Sequence, residues 1–180
     1  MDRVVYLLGL HHCDQRPRPD ESGEGLRKRL CAEILTHGID LVGEKDDPGS
    51  RPGRSIAHEL AENLGLNYVN LDPDKAEREE RGIPSCVDQE VLRQALAAAE
   101  MTCEAQQAAL CEEERKIAVL REPIWIEKLL GHSESWTAML FVLGAGHVES
   151  FMARLLAEGF RAEVVELDWS RGHPCKPSGC

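Results

Sequence analysis

The sequence predicts an α/β protein of a single domain, with a central, mainly parallel sheet of about five strands flanked by helices. Three observations predict it. Short apolar runs of strand length alternate with stretches of helical periodicity along the chain. The strongest runs, residues 4–10 and 139–143, are continuously apolar, as strands covered on both faces require. The length of 180 residues, with 42% hydrophobic and only 4% aromatic content, suits one core built mainly of Leu, Val, Ile and Ala.

Residues 4–10 open the pattern as a buried strand, and Pro17, Pro19, Asp20 and Ser22 make 15–22 a loop. Leu26, Leu30, Ile34 and Leu35 recur at helical spacing, so 26–36 reads as a helix closed by Gly38. Residues 39–42 form a second strand, stopped at Gly43 and Glu44 and followed by a loop to Gly53. A helix over 54–64 closes at Gly65, and 67–71 form a third strand. Residues 72–81 are almost all charge, a solvated loop or helix start. The longest helical pattern, 87–120, is rich in Ala, Leu, Glu and Gln. Pro123 marks a break or a fresh first turn, and 124–130 continue as helix to Gly131. Residues 139–143 are the clearest buried strand, 148–158 a helix and 161–167 the last strand. The α/β domain is therefore drawn as 1–168, with 169–180 as a polar tail.

Twenty-one Lys and Arg against 32 Asp and Glu leave a net charge of −11, which argues against nucleic acid or an anionic membrane surface as the main partner. No apolar run approaches the ~18 residues that span a bilayer. Residues 4–10 could imitate a signal sequence, but they run into His11-His12-Cys13-Asp14, where a cleavage site wants small residues. The 7 cysteines are odd in number, scattered and without a C-x-x-C pair, the pattern of reduced thiols. The expectation is a soluble cytoplasmic protein acting on a small-molecule or peptide substrate, with no nucleic-acid and no membrane partner.

Several motifs fail on inspection. Gly144-Ala145-Gly146-His147-Val148-Glu149 begins like a dinucleotide fingerprint, but Glu149 replaces the third glycine and would repel a pyrophosphate. His58 and Glu62 share a helix face and could meet a metal, yet an ordinary amphipathic helix with Leu60 and Leu64 inward explains them better. Gly131-His132-Ser133-Glu134-Ser135 lacks the last glycine of a serine elbow and follows a helix instead of a strand.

One constellation survives. Gly9-Leu10-His11-His12 and Gly144-Ala145-Gly146-His147 are both G-x-x-H, and each ends an apolar strand. In an open α/β sheet ligands collect outside the carboxyl ends of the strands. If these strands are parallel neighbours, His12 and His147 stand over the same edge, with a glycine letting the backbone turn sharply there. Glu44 follows the second strand and points a carboxylate at the same place. Two imidazoles and a carboxylate make a metal site with open positions. The alternative is that all three are ordinary polar residues at strand ends. His11 should point away from His12, as a packed or partly exposed residue.

These blocks resemble the TraB/PrgY/GumN and Tiki group, whose signature is two G-x-x-H motifs with a glutamate and an arginine between them. The first motif is matched by Gly9 to His12, the second by Gly144 to His147, and the glutamate by Glu44, with Asp46 as the alternative. The arginine is matched by Arg121, in Leu120-Arg121-Glu122-Pro123-Ile124-Trp125. The resemblance implies a fold shared with erythromycin-esterase-like and haem-binding ChaN-like proteins, and some Tiki members are metal-dependent proteases. It implies His12 and His147 as metal ligands, Glu44 as third ligand or as general base, and Arg121 as a cationic fork for a carboxylate or developing oxyanion.

Three functional expectations follow. The first is a divalent-metal-dependent hydrolase of peptide, amide or ester bonds, using manganese, iron, cobalt or zinc. The second is a non-catalytic protein of the same fold that binds haem or a small molecule. The third is a module that self-associates as a homo-oligomer through Leu92, Leu96, Ala99 and Cys103, a stripe better explained as the inward face of its helix.

Overall fold

A computed structural model describes residues 3–16, 23–46, 53–84, 94, 99, 102–132 and 136–169, with only the backbone of His12, Cys13, Cys103, Gln107 and Cys111. The fold is α/β, with one all-parallel sheet of five strands flanked by helices, as the apolar runs predict. The strands are β1 (Val4–Leu10), β2 (Leu41–Glu44), β3 (Asn67–Asn70), β4 (Ala138–Gly144) and β5 (Arg161–Trp169), in the order β3-β2-β4-β1-β5. The helices are α1 (His12–Gln15), α2 (Glu24–His37), α3 (Ile56–Leu64), α4 (Lys75–Glu80), α5 (Cys103–Val119), α6 (Glu122–Gly131) and α7 (Val148–Ala157). Two compact units divide the chain, Met1–Asp72 with Ile126–Cys180, and Pro73–Trp125. No helix among the described residues is long and apolar enough to cross a membrane.

In the sheet-bearing unit, side chains alternate between two cores. Leu8, Leu10, Val42, Leu140 and Val142 pack with Leu26, Leu30 and Ile34 of α2 and with Ile56, Ala57 and Ala61 of α3. The opposite face carries α7, where Phe151 meets Phe141 of β4 with ring centroids 5.1 Å apart. This is the arrangement that right-handed crossovers require. The β1–α2–β2 connection passes over β4 on one face, and the β4–α7–β5 connection passes over β1 on the other.

Local signals account for the elements. Gly38 and Gly65 adopt left-handed φ of 60° and 68° and close α2 and α3. Ser55 caps α3 by accepting from His58 N. In the second unit, Asp74 and Glu77 form a reciprocal capping box, so the charged stretch after Asp72 becomes α4. Pro123 sits in the first turn of α6.

Several expectations are corrected. Leu35 is 76% exposed, because the buried stripe of α2 runs Leu26, Leu30, Ile34 and Leu35 lies a further 100° round the helix. Leu64 is likewise exposed, and α3 buries Ile56, Ala57 and Ala61. The second strand starts and ends later than its apolar residues suggest, so that Glu44 lies within it. A helical turn, α1, precedes the segment expected to be a loop and takes in its first residue, Gln15, while 17–22 lie outside the described residues. Strand β5 reaches Trp169, past the expected boundary at 168, and 170–180 lie outside the described residues, as do Ser133, Leu92 and Leu96.

Gly9 also has a different role from the one expected. It does not turn the chain, being an ordinary strand residue; it makes room. A Cβ there would stand 2.1 Å from Leu167 O of β5 and 2.6 Å from Val148 Cγ2. At Gly43 the nearest obstacle would be Met139 Cε at 1.9 Å, the free end of a flexible side chain. Overpacking of this kind typically costs about 1–3 kcal/mol and more where backbone must move. Gly9→Ala is therefore expected to lose about 3 kcal/mol or more, and Gly43→Ala less, in urea unfolding. Equal losses would show that the β5 backbone yields as readily as a methionine.

Candidate functional site at the carboxyl edge of the sheet

Strands β2, β4 and β1 are contiguous, and all three end at the same edge. Gly9 pairs with Leu143 and Leu10 with Gly144, so the two G-x-x-H segments leave the sheet side by side. Glu44 pairs with Val142 on the other flank of β4. Because β4 sends its helix to one face while both neighbours send theirs to the other, its carboxyl end is a topological switch point on both sides. That is where an open α/β sheet forms its ligand crevice.

His147 ends a 3-10 turn, Ala145–His147, and is buried at 6% exposure. Its carbonyl accepts from Ser150 Oγ at 3.2 Å, and Val148, fully buried, anchors the start of α7. His12 begins α1, directly after β1; its side chain lies outside the described residues. His11 is partly exposed and sits 3.4 Å from Asp168 of β5. Arg121 precedes α6 in the unit Pro73–Trp125.

Glu44 has no exposed surface. Its Oε1 accepts from Gln15 Nε2 at 3.2 Å, and its Oε2 accepts from Ser55 Oγ and, at 3.1 Å, from Tyr68 Oη. Burial pushes the carboxyl up from its ordinary value to about 7. Asp46 adds to the rise, while donation by Ser55 and Tyr68 and the charge of Arg16 hold it down. The Tyr68 phenol is raised above its ordinary value, first by burial and then by the Glu44 charge. Its ring stacks on His58 at 4.1 Å between centroids. Glu62, the supposed metal partner of His58, pairs instead with Arg54.

Asp46 is drawn into a different structure. Both of its oxygens accept from the Arg16 guanidinium, which also donates to Gly53 O at 2.7 Å. The Asn70 side chain brackets the Asp46 backbone, donating to its carbonyl at 2.7 Å and accepting from its amide at 3.2 Å. Of the two acids after β2, Glu44 is thus the one set in the strand end, and Asp46 is held by a structural ion pair.

No family model, no curated protein and no solved structure matches this chain.

Glu44 combines engaged oxygens with a raised proton affinity. Both carboxylate oxygens already accept hydrogen bonds, and a carboxyl near 7 can hold or release a proton at neutral pH. Among the described residues no three His, Cys, Asp or Glu side chains form a metal-holding group. His147 follows β4, and His12, described by its backbone alone, follows β1 at this same edge. Sequence reasoning passed over Gln15, Arg16, Ser55 and Tyr68. Ser55 carried a readable signal, a serine directly before an apolar helical run; the others contact partners 24, 29 or 30 positions away, which no local pattern marks.

A carboxyl raised in the folded state binds its proton more tightly there than in the unfolded chain. Stability contributed by Glu44 is therefore present below about pH 4.5 and lost as pH rises through about 7. The shift corresponds to about 3 kcal/mol. Glu44→Gln is expected to flatten the wild-type decline between these pH values by that amount in urea unfolding. Parallel pH curves for the two proteins would contradict the buried, protonatable state described.

Proposed function

We propose that this protein is a hydrolase of peptide, amide or ester bonds that uses a divalent ion held by His12 and His147, with Glu44 as the general base. The observation that supports it is the strand order β2-β4-β1, which brings the ends bearing these residues together at a switch point. Neutral imidazoles suit manganese, iron, cobalt or zinc. A divalent ion bound there supplies a water acidic enough to be deprotonated near neutral pH. Glu44, near 7, takes that proton and passes it on, and Tyr68 and Ser55 hold the resulting carboxyl in place through its Oε2.

One observation favours a second reading. Protein donors engage both Glu44 oxygens, and the histidines that follow β4 and β1, His147 and His12, would also suit haem iron. Non-catalytic binding of haem or a small molecule in the same crevice is therefore the alternative.

Elemental analysis of protein purified without an affinity metal, wild type beside His147→Ala, separates the two. Stoichiometric divalent metal in the wild type and none in the variant is the expected result. Glu44→Gln should then retain the metal while hydrolysis falls by about 10²–10⁴-fold. No metal in either protein after soaking with manganese, together with a Soret band on haem addition that His147→Ala loses, would replace the hydrolase with the binding protein.

A further inference from the structure

Gln15 and Arg16 are consecutive, and both are almost completely buried, at 4% and 7% exposure. A polar pair in that position must be fully hydrogen-bonded to be tolerated. Both reach partners at and beyond the end of β2. The Gln15 amide nitrogen divides its two protons between Glu44 Oε1 at 3.2 Å and Lys45 O at 2.8 Å. Arg16 grips both oxygens of Asp46 and the carbonyl of Gly53. The segment so held is α1, a single helical turn that begins at His12 and ends at Gln15. One turn of helix has no stability of its own. The join to β2 helps to hold α1, together with the backbone bond from Asp14 N to His11 O at 2.9 Å.

We propose that Gln15 is a positioning residue for the metal site: by joining α1 to Glu44 and Lys45 it sets the turn that starts at His12 relative to the end of β2. The proposal rests on the reading above, that His12 holds a divalent ion. Gln15 itself touches neither the ion nor the substrate. Its amide reaches Glu44, so it ties the turn bearing one proposed ligand to the proposed base. Arg16 reinforces the same join one residue on, through Asp46, while the Gln15 amide reaches Glu44 directly. Partners standing behind metal ligands commonly change affinity about 10- to 100-fold when removed.

The test is Mn²⁺ affinity, followed by electron paramagnetic resonance, in the full-length protein. The variants are Gln15→Met, which keeps the length and removes the donors, and Ile34→Ala, a core truncation on α2 that destabilises without touching α1. The expected result is Mn²⁺ binding about 10- to 100-fold weaker in Gln15→Met and unchanged in Ile34→Ala. In a His12→Ala background, Gln15→Met should bring no further loss, because its effect passes through His12. Should Gln15→Met not fold, Gln15→Asn, one methylene short of the same acceptors, carries the comparison. Equal affinity in wild type and the Gln15 variant overturns the role of Gln15 and leaves the hydrolase reading intact. Equal weakening in Ile34→Ala, or a further loss in the His12→Ala background, also overturns it. A wild type that binds no Mn²⁺ overturns the reading of His12 as a ligand and this inference with it.

Discussion

A carboxylate with no exposed surface governs one end of this sheet. Taking an ionised carboxyl out of water is among the most costly things a fold can do, and it is tolerated only with partners in place. Glu44 has three, and each comes from a different element: Gln15 from α1, Ser55 from the cap of α3 and Tyr68 from β3. The requirement runs both ways. The donors keep the carboxyl bearable in the interior, and the carboxyl holds α1, α3 and β3 in a single arrangement around the end of β2. The Arg16–Asp46 pair lies beside it and is also nearly buried, so the same edge carries a second interaction that fails if either partner is removed.

The opposite face depends on close packing instead of polar matching. Gly9 allows β5 to bring the Leu167 carbonyl against β1, and Val148 to start α7 over the same point. Phe141 and Phe151 fill the space behind. The glycine of the first G-x-x-H segment is thereby explained by the fit of three elements. Its histidines can still have a functional role, but the glycine needs none to account for it.

These constraints shape what chemistry the edge can support. A metal ligand and a general base both need a lone pair that can reach the ion or the proton, and a base needs in addition a pKa near the working pH. Glu44 meets the second condition, because burial outweighs the three hydrogen bonds and sets its carboxyl near 7. Asp46 is matched oxygen for nitrogen by a guanidinium fork. The two acids differ by two positions in sequence and by environment in every other respect. Which face each occupies follows from the pleat: Glu44 is a strand residue on the α2–α3 side, and Asp46 lies beyond the strand.

The α/β class, the parallel strands and most helix limits were legible from the sequence, because continuous apolar runs, Gly at helix ends and Pro123 act through local sterics and solvation. The placement of Gly9–His12 and Gly144–His147 after strands was legible for the same reason. The chain alone could not say that β1 and β4 are neighbours, since backbone hydrogen bonding between strands carries no residue code. Nor could it tell that Leu35 and Leu64 face solvent, since helical spacing gives the width of an apolar stripe and the packed neighbours decide its edges. Tertiary structure alone decided the state of Glu44. Its burial, its three donors and its raised proton affinity come from residues brought together over 11 to 29 positions of chain, and a pKa answers to distance in space.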